Sequence, residues 1–231
     1  MRQLGKIHCL EKINDDQMGD SAPWIIFFHG YGADAHDLAS LSGVIPTKKT
    51  FNWLFPQGNL EVPIGPGWTG RAWWNIDMQA IQNAAAKGET RDMISEVPAG
   101  LKKAREMTFE MIKQLRVPWN KIILGGFSQG AMLATELFLN APETPAGLAL
   151  MSGTLINQDE WKKQIPQRAG CKFFQSHGEA DMVLGYKQAQ KLETLFCQNG
   201  MKGSLMGFRG GHEIPQGVLS KLGEYLNSQT A

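Results

Sequence analysis

The sequence predicts one three-layer α/β domain, a mainly parallel central sheet with helices on both faces. Three observations lead there. Short apolar runs alternate along the chain with longer segments of helical period. The runs are nearly continuous rather than alternating, as strands covered on both faces should be. The 231 residues also contain no repeat and no Pro/Gly/Ser-rich linker, which favours a single domain over 1–231.

In chain order, residues 6–10 read as an edge strand. Trp24–Phe28 and residues 51–55, 122–124, 148–151, 171–174 and 204–208 read as the covered strands. Among the helices, Val97, Leu101, Ala104, Met107, Met111 and Leu115 recur at steps of three and four. Residues 131–139 form a largely apolar helix with one charge, Glu136. Tyr186, Ala189, Leu192 and Leu195 mark another helix, stopped at Asn199-Gly200. A last one begins near Pro215 and carries Val218, Leu219, Leu222 and Leu226. Between Gln57 and Asp92 the periodicity fails, and Trp68, Trp73 and Trp74 lie among three glycines. That stretch reads either as a surface loop pinned by buried tryptophans or as one wall of a substrate groove.

Composition narrows the function. With 23 basic against 22 acidic residues the net charge is +1, leaving no electrostatic footprint for nucleic acid or an anionic membrane. A hydrophobic share of 42 % with 19 % charged residues describes a globular chain and excludes a disordered one. Cys9, Cys171 and Cys197 are odd in number and lack a CxxC, so they read as free thiols in a reducing compartment. No signal-peptide pattern opens the chain and no apolar run approaches 18 residues, so a cytoplasmic location is expected, without stable membrane insertion.

The chemistry begins at Gly126-Phe127-Ser128-Gln129-Gly130, a G-x-S-x-G between a strand and an apolar helix. Flanking glycines allow the tight turn that lifts a serine hydroxyl above the sheet as a nucleophile. Such a serine needs a base oriented by an acid, following it in the order Ser, acid, His. Only His177 and His212 lie beyond Ser128. His212 follows the last strand and is expected to be the base. His177 adjoins the candidate acids, so it is expected to shape their turn. Asp181 and Glu179 both follow the strand at 171–174; position favours Asp181 without excluding Glu179. The Gln129 N–H, at a helix N-terminus, can donate to an oxyanion, and a second donor should come from His29-Gly30-Tyr31-Gly32. His29 itself reads as a structural histidine. Neither GxGxxG nor a Walker lysine supports a nucleotide site, and no cluster has metal-ligand spacing, so no cofactor and no metal are expected.

These residues resemble the acyl-protein thioesterase / phospholipase–carboxylesterase family of small α/β-hydrolases. The likeness runs from Trp24 to about Leu226. It rests on residues 29–34 (HGYGAD), 55–57 (FPQ), 125–131 (GGFSQGA), 152–153 (SG), 177–181 (HGEAD) and 211–213 (GHE). The resemblance implies an α/β-hydrolase fold, a triad of Ser128, Asp181 and His212, and an oxyanion hole from the Tyr31 and Gln129 N–H groups. Three departures bear on acyl and leaving-group preference. Tyr31 stands where leucine is frequent, Met182 where proline is, and Asn75 where an acid often follows the aromatic pair. Only about 18 residues separate Ser152-Gly153 from the next strand, room for a short helix but not for a cap domain. The Gly-His-Glu form of the histidine loop is similar to bacterial small-ester hydrolases, which favours a carboxylesterase over an acyl-protein thioesterase or lysophospholipase. The partners implied are small-molecule or lipid acyl esters and acylated proteins, with a homodimer left open. A non-catalytic binding protein on the same fold is disfavoured, because the complete set of reactive residues is present.

Overall fold

The computed structural model describes residues 1–14 and 22–229. Its strands are β1 (Arg2–Leu4), β2 (Ile7–Lys12), β3 (Trp24–Phe28), β4 (Asn52–Pro56), β5 (Leu60–Gly65), β6 (Trp68–Ala72), β7 (Ile122–Phe127), β8 (Gly147–Met151), β9 (Phe173–Gly178) and β10 (Leu205–Phe208). The helices are α1 (Leu41–Val44), α2 (Met78–Ala85), α3 (Leu101–Leu115), α4 (Gln129–Asn140), α5 (Gln158–Gln164), α6 (Tyr186–Gln198) and α7 (Gln216–Ser228). Eight strands make one sheet in the order β1-β2-β4-β3-β7-β8-β9-β10, and β5 and β6 form a separate hairpin. From β4 to β10 every neighbouring pair is parallel; β1–β2 and β2–β4 are antiparallel.

Alternation along the strands divides the core in two. Ile26, Phe28, Leu124, Leu148 and Leu150 pack with α3, α4, α5 and α6 on one face. Ile25, Phe27, Ile123, Ala149 and Met151 pack with α1 and α7 on the other. Because the side-chain period of a strand is two, every central strand must be apolar at each position to feed both layers. The expected mainly parallel sheet with helices on both faces is therefore present. The chain between β8 and β9 carries α5 and one 3₁₀ turn, Ile165–Arg168.

Four details differ from the sequence reading. The edge of the sheet is β1, with β2 lying inside it. Helix α3 starts at Leu101, leaving Val97 exposed before it. Strand β9 runs on to Gly178, past the apolar run, because Gln175, Ser176 and His177 are buried and continue the ladder to β10. The aperiodic stretch after Gln57 is a β-hairpin followed by α2, whose first turn is capped by Asp77 accepting from the Ala80 N–H at 2.9 Å.

Helix α4, behind the central strand, is buried along residues 129–139, including Glu136. A carboxylate removed from water needs compensating partners. Glu136 has them: the Arg105 guanidinium at 2.6 Å, the Trp161 indole N–H at 2.7 Å and the Asn140 amide at 3.2 Å. This sequence position reads as the one charge on an apolar helix, and its task is to tie α3, α4 and α5 together.

Candidate active site

The site is assembled at the C-terminal ends of the parallel strands, where α/β sheets place their loops. Ser128 lies between β7 and α4 with φ 55° and ψ −120°, a backbone conformation that L side chains avoid. Two bonds over-determine that turn. The Ser128 N–H donates to Met151 O at 2.9 Å, and Ser128 O accepts from the Ala131 N–H at 3.0 Å. Close packing beneath it requires glycine, since a Cβ on Gly130 would stand 2.7 Å from His29 O and nearer still to Phe28 O. Helix α4 thus begins directly against the end of β3.

Asp181 sits in the turn after β9, and its side chain is fully buried. Its Oδ1 accepts from the Val183 and Leu184 N–H groups at 2.8 and 2.9 Å. Its Oδ2 lies 2.7 Å from His212 Nδ1 and 3.2 Å from His177 Nε2. Burial alone would raise this carboxyl's pKa. The hydrogen bonds from His177 and His212, the His212 charge and the Leu184 N–H outweigh it and hold the group well below the usual carboxylate range. Glu179, the rival acid, is turned elsewhere: its Oε1 lies 3.1 Å from where a Gly207 side chain would be, beside the Tyr186 hydroxyl.

His212 lies in the loop between β10 and α7 and is partly exposed. With Nδ1 on Asp181, its Nε2 has no hydrogen-bond partner among the described residues. The imidazole packs on the Phe127 ring at 4.8 Å between centroids, and Phe127 directly precedes Ser128. Phe127 is only partly buried and packs against the histidine. Met151, at the end of β8, is fully buried.

The loop after β3 is held from several sides. Gly58 N–H donates to His29 Nε2 at 2.9 Å, so the proton of this imidazole is on Nδ1, which donates to Gly30 O at 2.7 Å. Burial lowers the His29 pKa and keeps the ring neutral. Beyond it, the Gly32 N–H donates to Arg71 O and the Arg71 N–H to Ala33 O, both at 2.8 Å. Strand β6 therefore pairs with the loop that carries Tyr31. That pairing needs Gly70, where a Cβ would meet the Gly32 backbone at 2.5 Å from C and 2.9 Å from Cα. Gly30, the residue before Tyr31, lies against Ser128, where an added Cβ would come 3.3 Å from Ser128 Cβ, and neither the Tyr31 nor the Gln129 main-chain N–H has a protein acceptor among the described residues.

The tryptophans divide between the two readings of their segment. Trp73 and Trp74 are buried, at 2 % and 0 % exposure, and belong to the main core; neither is an open groove wall. Trp73 lies over the His29 ring at 5.2 Å and donates its indole N–H to His29 O at 3.0 Å. Trp68, at the hairpin tip, is 73 % exposed. Sequence reasoning missed the side chain of Gln129: its Oε1 accepts from the Trp73 N–H at 3.0 Å and its Nε2 donates to Trp74 O at 2.8 Å. It missed Gly70 as well. Neither contact has a local signature, because the partners are distant in sequence. Among the described residues, no group of three or more His, Cys, Asp or Glu side chains is placed to hold a metal ion.

A serine on a strained strand-to-helix turn, with an Asp–His pair on the following loops, makes this a serine hydrolase of the α/β-hydrolase class. Residues 15–230 match the model of the phospholipase/carboxylesterase family, and the chain belongs to that family. Among curated relatives, acyl-protein thioesterase 1 of Candida albicans is 26 % identical over 187 residues, covering 77 % of this chain and 78 % of that protein. Its namesake in Neurospora crassa is 24 % identical, covering 89 % and 86 %. Among solved structures, esterase PE8 superposes with a TM-score of 0.78 at 20 % identity, over 97 % of this chain and 99 % of that one. The Bacillus cereus carboxylesterase gives 0.67 at 19 % identity, over 97 % and 95 %. These two structural likenesses establish a common fold.

Proposed function

We propose that the protein hydrolyses carboxylic esters through an acyl-enzyme, with Ser128 as nucleophile, His212 as general base and Asp181 as the acid that orients it. The observation that carries this reading is the 2.7 Å contact of His212 Nδ1 with a buried, ionised Asp181, on a ring packed against the residue before Ser128. Ser128 Oγ attacks the acyl carbon while His212 Nε2 takes its proton. The resulting imidazolium is stabilised by Asp181. The Tyr31 and Gln129 N–H groups receive the oxyanion, helped by the positive end of α4. His212 then protonates the departing alkoxide, and the acyl-enzyme is cleaved by water activated at the same nitrogen.

The same steps cleave a thioester, with a thiolate leaving, and the relatives named acyl-protein thioesterase favour that as a second reading. The Gly-His-Glu form of the histidine loop favours oxygen esters. Trp68 is the one tryptophan of the hairpin free to touch an acyl chain. Among the described residues no helix is long and apolar enough to cross a membrane. The three free thiols fit a reducing compartment, so action in the cytoplasm belongs to the same proposal. A fluorophosphonate should label Ser128 and stop all turnover. A chain-length series of matched oxygen esters and thioesters, compared by kcat/KM, then chooses between the readings. Full activity after stoichiometric labelling elsewhere would refute the nucleophile.

A further inference from the structure

His177 is a second histidine on the proposed acid, and its surroundings leave it one arrangement. The side chain is fully buried. Its Nε2 lies 2.6 Å from Leu184 O, and a carbonyl can only accept, so the proton is on Nε2. The same N–H is 3.2 Å from Asp181 Oδ2, the oxygen that also holds His212 Nδ1. Nδ1 of His177 is buried with no hydrogen-bond partner among the described residues. His177 is thus fixed with Nε2 as its donor.

The titratable groups around it are few. Asp181 faces it from its own turn, and His212 reaches it through the shared oxygen. Tyr186, on α6, has its ring 6.2 Å away. Glu179 points toward β10, beside the Tyr186 hydroxyl.

We infer that His177 is a positioning residue: by sharing Asp181 Oδ2, it limits how strongly the carboxylate holds the His212 proton and so sets the pH range in which His212 works as a base. Two backbone N–H groups anchor Oδ1, so the carboxylate stays in place without His177. What changes is the second oxygen. Relieved of one donor, it accepts more strongly from His212, favours the imidazolium and delays the appearance of the free base as pH rises.

This rests on the triad proposed above. The experiment is the pH profile of kcat/KM on a short-chain ester for wild type and for His177→Leu, His177→Asn and His177→Gln. Leu and Asn remove a donor at the Nε2 position, whereas the Gln amide can replace it. The pH of half-maximal kcat/KM should rise by about half a unit to one unit in Leu and Asn, and return to the wild-type value in Gln. A purely structural role would lower the amount of active protein and leave the midpoint unmoved. An unmoved or lowered midpoint in the donor-less variants overturns the inference, as does a Gln variant that behaves like Leu. Should those variants fail to fold, nitrogen NMR of wild type with labelled histidine decides. His177 must then keep its proton on Nε2 across the pH range in which activity rises, and a His177 that titrates there, or carries its proton on Nδ1, overturns it. Asp181→Asn is run in parallel. If it keeps activity the triad itself is wrong, whereas its loss beside an unmoved midpoint rejects only the role given to His177.

Discussion

Gly70→Ala tests whether the hairpin holds the oxyanion loop in place. The new methyl would lie 2.5 Å from Gly32 C and 2.9 Å from Gly32 Cα, against backbone that cannot swing aside as a side-chain tip could. Strand β6 must move off the loop, breaking the two 2.8 Å bonds between Gly32, Ala33 and Arg71. At about 1 kcal/mol each, the loss of stability is about 2 kcal/mol. For a domain of this size that lowers Tm by about 4–8 °C and leaves the protein folded at 25 °C. Catalysis should suffer more. If the loop carrying Tyr31 relaxes, one oxyanion donor is misplaced, and kcat should fall about 10²–10³-fold with little change in KM. The assay is steady-state hydrolysis of a short nitrophenyl ester at 25 °C, with the active fraction titrated by fluorophosphonate and Tm measured alongside. Gly65→Ala is the control, because a Cβ there meets nothing within 4 Å. A Gly70→Ala protein whose kcat per labelled site stays within about threefold of wild type would show that the loop keeps its shape without the hairpin.

Ser128→Ala and Ser128→Gly should both lose on the order of 10⁴–10⁶ in kcat, but only Gly should also raise Tm, by about 2–8 °C, since it removes the strain of φ 55°; equal melting points would mean that the turn is unstrained. Asp181→Asn should cost on the order of 10⁴ in kcat and Glu179→Gln far less, and a larger loss at Glu179 in the same ester assay would reverse the assignment. His29, whose pKa is lowered by burial, is neutral when folded and regains its ordinary value when unfolded. The unfolded chain therefore binds more protons below about pH 6.5, so stability should fall with pH there. The urea midpoint of wild type should drop more steeply from pH 7.5 to 5.5 than that of His29→Gln, and parallel slopes would reject the neutral assignment. Trp68→Ala should flatten the dependence of kcat/KM on acyl length, sparing acetate esters and Tm; equal losses on every ester would remove Trp68 from the groove.

Where a segment is covered on both sides, its physics is local and the sequence shows it. The central strands are apolar at successive positions because two layers need them, and α6 and α7 carry their buried residues at helical spacing. The hairpin was hidden for the opposite reason: of β5 only Val62 is buried, so neither period nor composition marks it. Helix α2 has one buried residue, Ile81, and β1 has one, Leu4. At the candidate site, Ser128 and His212 stood out because each lies in a short, chemically constrained turn, whereas position left Asp181 and Glu179 as alternatives and only the resemblance implied Asp181. The Gln129 amide and Gly70 did not stand out, since what they satisfy lies 56 and 38 positions away and exists only once the chain is folded. His177 was placed beside the acid, but its tautomer depends on the Leu184 carbonyl, which only the closed turn brings within reach.

The hairpin also separates what can vary from what cannot. Its base is locked to the loop carrying Tyr31 through Gly70 and Arg71, and through Trp73 and Gln129 to the start of α4. Its tip is less constrained: a Cβ at Gly65 would meet nothing, Gly67 is held to glycine only by its φ of 75°, and Trp68 stands in solvent. If Trp68 touches the acyl chain as proposed, a lineage of such enzymes could retune which esters it accepts by trading residues at the tip, while the proposed machinery beneath stays fixed. For an engineer the same division marks a place to randomise: libraries confined to positions 65 and 68, with Gly67 kept at its φ of 75°, should stay folded and reactive at high frequency, whereas libraries at 70–74 should mostly yield inert protein.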